Sequence, residues 1–224
     1  KGLAVLEVDE ANVVKVTKFI TPIAFVFTNL FRDQMDRYGE IYTTYDKILA
    51  GVKLAPKATI IANGDEQIFN TKELPNPVIY YGFNHESHAD FKAPANTDGL
   101  LCPKCHHILH YHLRTYANLG DYFCPHCGFK RPELTYQVTK LGELTPTSSS
   151  FEIDGTPYQI EIGGLYNIYN ALAAYSLGRF LGVSPAQIQH AFSADERVFG
   201  RQEVINVNGK EVTLILVKNP VGLN

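Results

Sequence analysis

The sequence predicts an α/β fold: a mostly parallel sheet flanked by helices, with β-hairpins in the C-terminal half and an inserted four-cysteine ribbon. Three observations predict it. Short runs that are apolar throughout alternate with segments of helical period, as in a sheet covered on both faces. Asp154-Gly155 and Asn208-Gly209 each sit between alternating runs, the signal of two-residue hairpins. All four cysteines fall within 102–127, as two Cys-Pro-x-Cys knuckles around an eighteen-residue spacer, 106–123.

The elements follow in chain order. "LAVLEV" (3–8) is a short apolar run read as a first strand, and a helical stretch follows over 12–19. "IAFVFTN" (23–29) is a buried strand by length. An amphipathic helix covers about 41–52, with Tyr42, Tyr45, Ile48 and Leu49 at helical spacing. "ATIIAN" (58–63) and "PVIYYG" (77–82) supply two more strands. After the cysteines, "FEIDGTPYQIEI" (151–162) reads as a hairpin and 166–182 returns to helical period. Ser184 caps and Pro185 opens a second helix over 184–192, and "EVINVNGKEVTLILV" (203–217) is another hairpin.

Composition narrows the function classes. A chain of 224 residues buries one sizeable core with room for a small module. Its net charge of -3, with no run of five or six like charges, gives no nucleic-acid footprint spread over the surface. No apolar stretch reaches the roughly eighteen residues that span a bilayer.

Cys102, Cys105, Cys124 and Cys127 have the C-x2-C…C-x2-C spacing of a zinc ribbon, each knuckle stiffened by a proline. Two redox pairs are the competing reading, disfavoured because no other cysteine accompanies them. His106, His107, His110, His112 and His126 crowd the module, but four thiolates already fill a tetrahedral shell. A closed shell leaves no position for water, so the zinc is expected to be structural. Tyr111, Tyr116, Tyr122 and Phe123 are either base-stacking rings or the core of a small metal module. The charge balance favours the core, so no nucleic-acid partner is expected.

Polar groups gather where the strands end. Glu7, Asp9 and Glu10 close the first run; Asn29, Arg32, Asp33 and Asp36 follow the second; Asn63 and Asp65 follow the third. Carboxylates at one sheet edge suit a hard cation with phosphates. Helix caps and turn residues are the alternative, above all for Asp33 and Asp65.

Several of these stretches carry a resemblance. "TNLFRDQMDRYGE" (28–40) resembles the T-N-x-x-x-D-H-x-D-x-x-G signature of the Mur ligase and folylpolyglutamate synthase superfamily. "EVDEA" (7–11) resembles its magnesium-binding strand end, "GGLYNIYNALAA" (163–174) its G-x-x-N-x-x-N-A-L-A-A helix, and "FGRQE" (199–203) its G-R-x-E. The resemblance implies a Mur-ligase central, ATP-binding domain over 1–98 and 134–217, interrupted by a ribbon module over 99–133. Residues 218–224 would then begin the link to a C-terminal domain holding the catalytic residues. It implies that Glu7, less so Glu10, holds Mg2+, that Asn170, less so Asn167, contacts adenine, and that Arg201 lies by the phosphates or ribose; helix-start capping is the alternative for the asparagines and a surface salt bridge for Arg201. Lys47 falls near the position of a modified lysine, with an ordinary exposed helix lysine as the favoured alternative. Gln34 stands where most members have a metal-binding histidine, which puts a second metal site in doubt. The G-x-x-x-x-G-K-[ST] phosphate loop, expected upstream of Glu7, is absent from these residues.

The ribbon, "NLFRDQMDRYGEIYTTYDKIL" (29–49) and the closing "KNPVGLN" narrow the resemblance to members that amidate peptidoglycan precursors. That implies ATP-dependent amidation of the α-carboxyl of D-glutamate in the lipid II stem peptide, through an acyl phosphate. Ammonia would come from a glutaminase partner subunit, in the cytoplasm at the inner face of the membrane. The rival reading is a binding module, with the ribbon on a degenerate ligase fold recruiting a partner or RNA.

Overall fold

The computed structural model describes residues 2–30, 41–85, 91–93, 100–194 and 203–214. A 3-10 turn, Glu10–Asn12, leads into α1 (Val13–Phe19); β1 (Ala24–Phe27), α2 (Ile41–Val52), β2 (Thr59–Asn63) and β3 (Val78–Phe83) follow. A second 3-10 turn, Gln67–Asn70, lies between β2 and β3. Next come β4 (Phe91–Lys92), β5 (His110–Tyr116), β6 (Leu119–Phe123) and β7 (Tyr136–Leu144). The chain goes on through β8 (Ser149–Ile153), β9 (Thr156–Ile160), α3 (Leu165–Phe180), α4 (Pro185–Ser193), β10 (Glu203–Val207) and β11 (Lys210–Leu214).

The main sheet has the order β1-β2-β3-β7-β8-β9. β1, β2, β3 and β7 run parallel, and β7, β8 and β9 antiparallel. Alternation along the parallel strands loads two faces. Ile79, Tyr81 and Phe83 of β3 and Ile61 of β2 pack toward α3 with Ile168, Tyr169 and Leu172. Ile60 and Ala62 pack the other way, against Tyr45, Ile48, Leu49 and Val52 of α2, whose i, i+3, i+4, i+7 spacing makes one apolar stripe. A fully buried side chain of the size of Leu172 or Ile61 contributes roughly 1.5–3 kcal/mol.

The hairpin signals are realised. Asp154 and Gly155 have φ 48° and 80°, Asn208 and Gly209 53° and 78°, the left-handed pairs that two-residue hairpin turns require. At α4 the Ser184 hydroxyl accepts from the Gln187 N–H while the Gln187 side chain accepts from the Ser184 N–H, a complete capping box.

The first apolar run is a correction. Residues 2–9 form no regular structure, and Leu3, Val5 and Leu6 are 62%, 72% and 55% exposed. A strand exists only where a neighbour takes its N–H and C=O groups, and no described strand pairs with this segment.

The ribbon occupies the crossover between two paired parallel strands, β3 and β7, where a helix is usual. Its own antiparallel sheet has the order β4-β5-β6. It is not confined to its own core, because Leu113 and Leu119 enter the cluster beneath α3.

Candidate zinc centre and nucleotide face

Each cysteine knuckle is a backbone turn. The His106 N–H donates to the Cys102 carbonyl at 2.9 Å and the Gly128 N–H to that of Cys124 at 3.1 Å. This brings Cys102 Sγ to 3.5 Å from Cys127 Sγ, and Cys105 Sγ to 3.4 Å from Cys124 Sγ. All four sulfurs lie within 4.8 Å of one another. Zinc–sulfur bonds of about 2.3 Å in a tetrahedron place sulfurs roughly 3.8 Å apart, so the set fits the ion with little rearrangement.

The thiols are prepared unequally. Burial opposes ionisation of Cys124, but the backbone N–H groups of Cys127 and His126 pull its thiol down to about 6. At Cys105 the His107 N–H lowers the thiol, while burial and the neighbouring sulfurs carry it up to about 12. A divalent ion at the centre favours the thiolate of all four.

His107 and His126 stack with ring centroids 3.8 Å apart and planes 6° from parallel, within reach of Cys105. Parallel rings aim their nitrogen lone pairs side by side and do not converge on one ion, so the four sulfurs are the better shell. Tyr111 and Tyr122 are 1% and 0% exposed, packed with Leu109 and Phe129. These two rings are therefore core, unavailable for stacking on bases.

The ribbon meets the main sheet at a carboxylate that sequence reading placed among metal ligands or turn residues. Asp65 is 0% exposed. Its Oδ1 accepts from Arg131 Nη1 at 2.9 Å, and its Oδ2 accepts from the Phe83 N–H at 2.8 Å and the Tyr169 hydroxyl at 2.6 Å. Burial pushes this carboxyl above the ordinary aspartate range, and Arg131, Tyr169 and the Phe83 N–H oppose that push. All three donors are matched to the charged form, so the group is read as a carboxylate at neutral pH. Gly82 makes the site possible, since a Cβ there would stand 2.5 Å from Asp65 Oδ1. Arg131 also donates to the Phe83 carbonyl and pairs with Asp121 at 3.2 Å. The Thr115 hydroxyl hydrogen-bonds to that of Tyr169.

The predicted adenine contacts lie on the first turns of α3. Asn167 is buried, with Nδ2 donating to the Gly163 carbonyl at 2.7 Å; Asn170 is exposed, its Nδ2 3.5 Å from Asn167 Oδ1. A side chain at Gly163 would collide with the carbonyls of Thr145 and Pro146, at 2.2 and 2.5 Å from its Cβ. The glycine thus lets the loop after β7 lie against the helix start.

The remaining expectations divide. Glu7 is exposed on the irregular segment, and Glu10 opens the 3-10 turn before α1, which packs on α2. The helix carrying the asparagines covers the opposite face of the sheet. Asp9 accepts from the Ala11 N–H at 3.0 Å, a cap. Asn63 bridges Asn29 and the Asp65 N–H. Lys47 is half-buried on α2. Arg201, Gln34, Arg32, Asp33, Asp36 and the closing 218–224 lie outside the described residues. A cavity of about 360 Å³ between α2, the 3-10 turn 67–70 and the start of β3 touches none of the predicted site residues. Sequence reading assigned no role to Tyr169, Thr115 or Arg131. Nothing local marks them, because the three lie far apart in the chain.

No family model matches the chain. Among solved structures, the pseudomurein peptide ligase type C from Methanothermus fervidus superposes with a TM-score of 0.72. It is 24% identical, over 94% of this chain and 41% of that one. MurC from Thermotoga maritima gives a TM-score of 0.56 at 13% identity, over 96% of this chain and 39% of that one. MurF from Acinetobacter baumannii gives 0.55 at 14%, over 90% and 35%. The chain therefore has the fold of the Mur ligases.

The curated relatives are more particular. Over 222 residues, 99% of this chain, it is 53% identical to the MurT subunit of the glutamine-hydrolysing lipid II isoglutaminyl synthase of Streptococcus pneumoniae, and 33% to that of Staphylococcus aureus. The chain spans about half the length of the curated relatives it matches, 50% in each case.

Proposed function

We propose that this chain is the nucleotide-handling part of a ligase subunit that amidates the α-carboxyl of D-glutamate in the lipid II stem peptide. The observation that carries the reading is 53% identity to a MurT subunit along nearly the whole chain, on a Mur-ligase fold. Bound ATP supplies the activating phosphoryl group and Mg2+ the charge that offsets its oxygens. The chain's own part is to bind and orient. Asn170 offers an exposed amide to the adenine edge, and Asn167, tied to Gly163, holds the helix start in place. Arg201 takes the phosphates or ribose and Glu7 the magnesium. Ammonia comes from a glutamine amidotransferase partner, GatD, and the reaction takes place in the cytoplasm at the membrane's inner face. No helix among the described residues is long and apolar enough to cross a membrane.

The four cysteines hold a structural zinc in this reading. It is supported by the sulfur spacing and by the burial of Cys102 and Cys124, one from each knuckle. The decisive experiment is an amidation assay of the full-length subunit with ATP, lipid II and glutamine, with and without the glutaminase. Amidated lipid II that depends on both ATP and the glutaminase is expected. No product with every component present would overturn the reading.

A further inference from the structure

We propose that Asp65, Arg131, Tyr169 and Thr115 form a positioning relay, through which the metal-held ribbon fixes the helix that presents Asn167 and Asn170. The nucleotide consequence rests on the ATP-binding function proposed above; the mechanical coupling rests only on the zinc centre proposed there.

Three separate stretches converge on one carboxylate. Asp65 belongs to the turn after β2, and its own carbonyl accepts from the Gly120 N–H of the ribbon at 3.2 Å. Arg131 closes the ribbon four residues beyond Cys127, and its N–H donates to the Tyr122 carbonyl at 2.9 Å, so the second knuckle's frame sets where the guanidinium lies. Its side chain is 8% exposed, against 0% for Asp65. Tyr169 comes from α3, and its hydroxyl stands between Asp65 and Thr115 of the ribbon. Tyr169 gives its one proton to Asp65, so Thr115 donates to the Tyr169 oxygen, with the Leu119 carbonyl, 3.2 Å away, as its alternative acceptor.

A buried ion pair is a poor way to gain stability, because desolvating both charges offsets most of their attraction. What it supplies is direction. With every strong donor around Asp65 committed, α3 can neither rotate nor slide without stripping a hydrogen bond from a buried charge. Tyr169 lies on α3 between Asn167 and Asn170, and at 100° per residue its inward anchor fixes the angle at which Asn170 faces outward. Release of the ion would loosen the knuckle that aims Arg131, and with it the ion pair that orients Asp65 and the Thr115 contact to α3.

Tyr169→Phe and Thr115→Val test this in the full-length subunit. The first removes a hydroxyl from a ring that packs 4.3 Å from that of Phe83, and the second replaces a hydroxyl by a methyl of similar size. The first readout is amide hydrogen exchange over 165–172, with the metal bound and after chelation. Chelation should speed exchange there in the wild-type subunit, and each variant should already exchange fast and respond little. Exchange in this helix that ignores chelation, or variants indistinguishable from wild type, would overturn the relay. The second readout is the KM for ATP, expected to rise about tenfold in Tyr169→Phe, the worth of roughly one charge-assisted hydrogen bond, with kcat much less affected. If exchange responds as expected but KM for ATP does not move, the nucleotide reading of Asn167 and Asn170 fails and the mechanical coupling stands.

Discussion

Asn167 and Asn170 are three residues apart and chemically identical, yet the structure gives them different work. Asn167 is buried and bonded to Gly163, while Asn170 is exposed. In the full-length subunit Asn170→Ala is expected to weaken ATP binding by about tenfold, as one lost hydrogen bond to a base edge would, with little change in melting temperature. Asn167→Ala should lower both, because the helix start loses its tie. Calorimetry and thermal denaturation of the two variants check this. Equal thermal losses would return Asn170 to a capping role. The i, i+3 spacing was legible in the sequence and the resemblance favoured Asn170 for the adenine, but the burial of Asn167 was not legible, since it depends on the loop that Gly163 admits.

Two elements make separate predictions. The ribbon should bind one zinc ion with an all-sulfur shell, because four sulfurs already lie within 4.8 Å. Metal analysis with X-ray absorption decides it, and two or more nitrogen ligands would point to the stacked His107 and His126 instead. Loss of the ion should also be felt beyond the ribbon, since Leu113 and Leu119 belong to the core beneath α3. The second element is α4, where Ser184→Ala removes one half of a capping box and should cost about 1 kcal/mol in a denaturant titration. A loss near zero would mean that packing of Ile188 and Phe192 alone holds the helix. Cap, proline and period together made α4 readable from its sequence. The run at 3–8 was misread for the converse reason: apolar residues suggest a strand, but a partner makes one.

At the scale of the whole molecule, the buried tyrosines, seven among the described residues, give the core an alkaline liability. Burial raises the hydroxyls of Tyr45, Tyr81, Tyr111, Tyr122 and Tyr169 well above their usual range, and that of Tyr175 to about 12. In the unfolded chain the same groups ionise near about 10. Their folded-state values are raised, so the stability they contribute is complete below about pH 10 and is lost as pH climbs toward the folded values. Melting temperature should hold from neutral pH to about 10 and then fall, with tyrosinate absorbance rising together with unfolding. Tyr42, 47% exposed, can ionise in the folded protein, but ionisation of the whole set before unfolding would contradict the burial of the others.

Sequence by itself determined the α/β class, the strands β1 to β3, the amphipathic α2, both Asx-Gly hairpins, the capped α4 and the four-cysteine set. Each of these rests on local periodicity, turn chemistry or ligand spacing, which a chain carries before it folds. Only the tertiary structure decided that the ribbon fills the β3–β7 crossover, and that Tyr111 and Tyr122 serve its core. It also decided that Asp65, which looked like a metal or turn residue, is bound by Arg131 and Tyr169. Those partners lie 66 and 104 residues away. A carboxylate's role is set by the donors that folding brings to it, and no spacing along the chain records where they will come from.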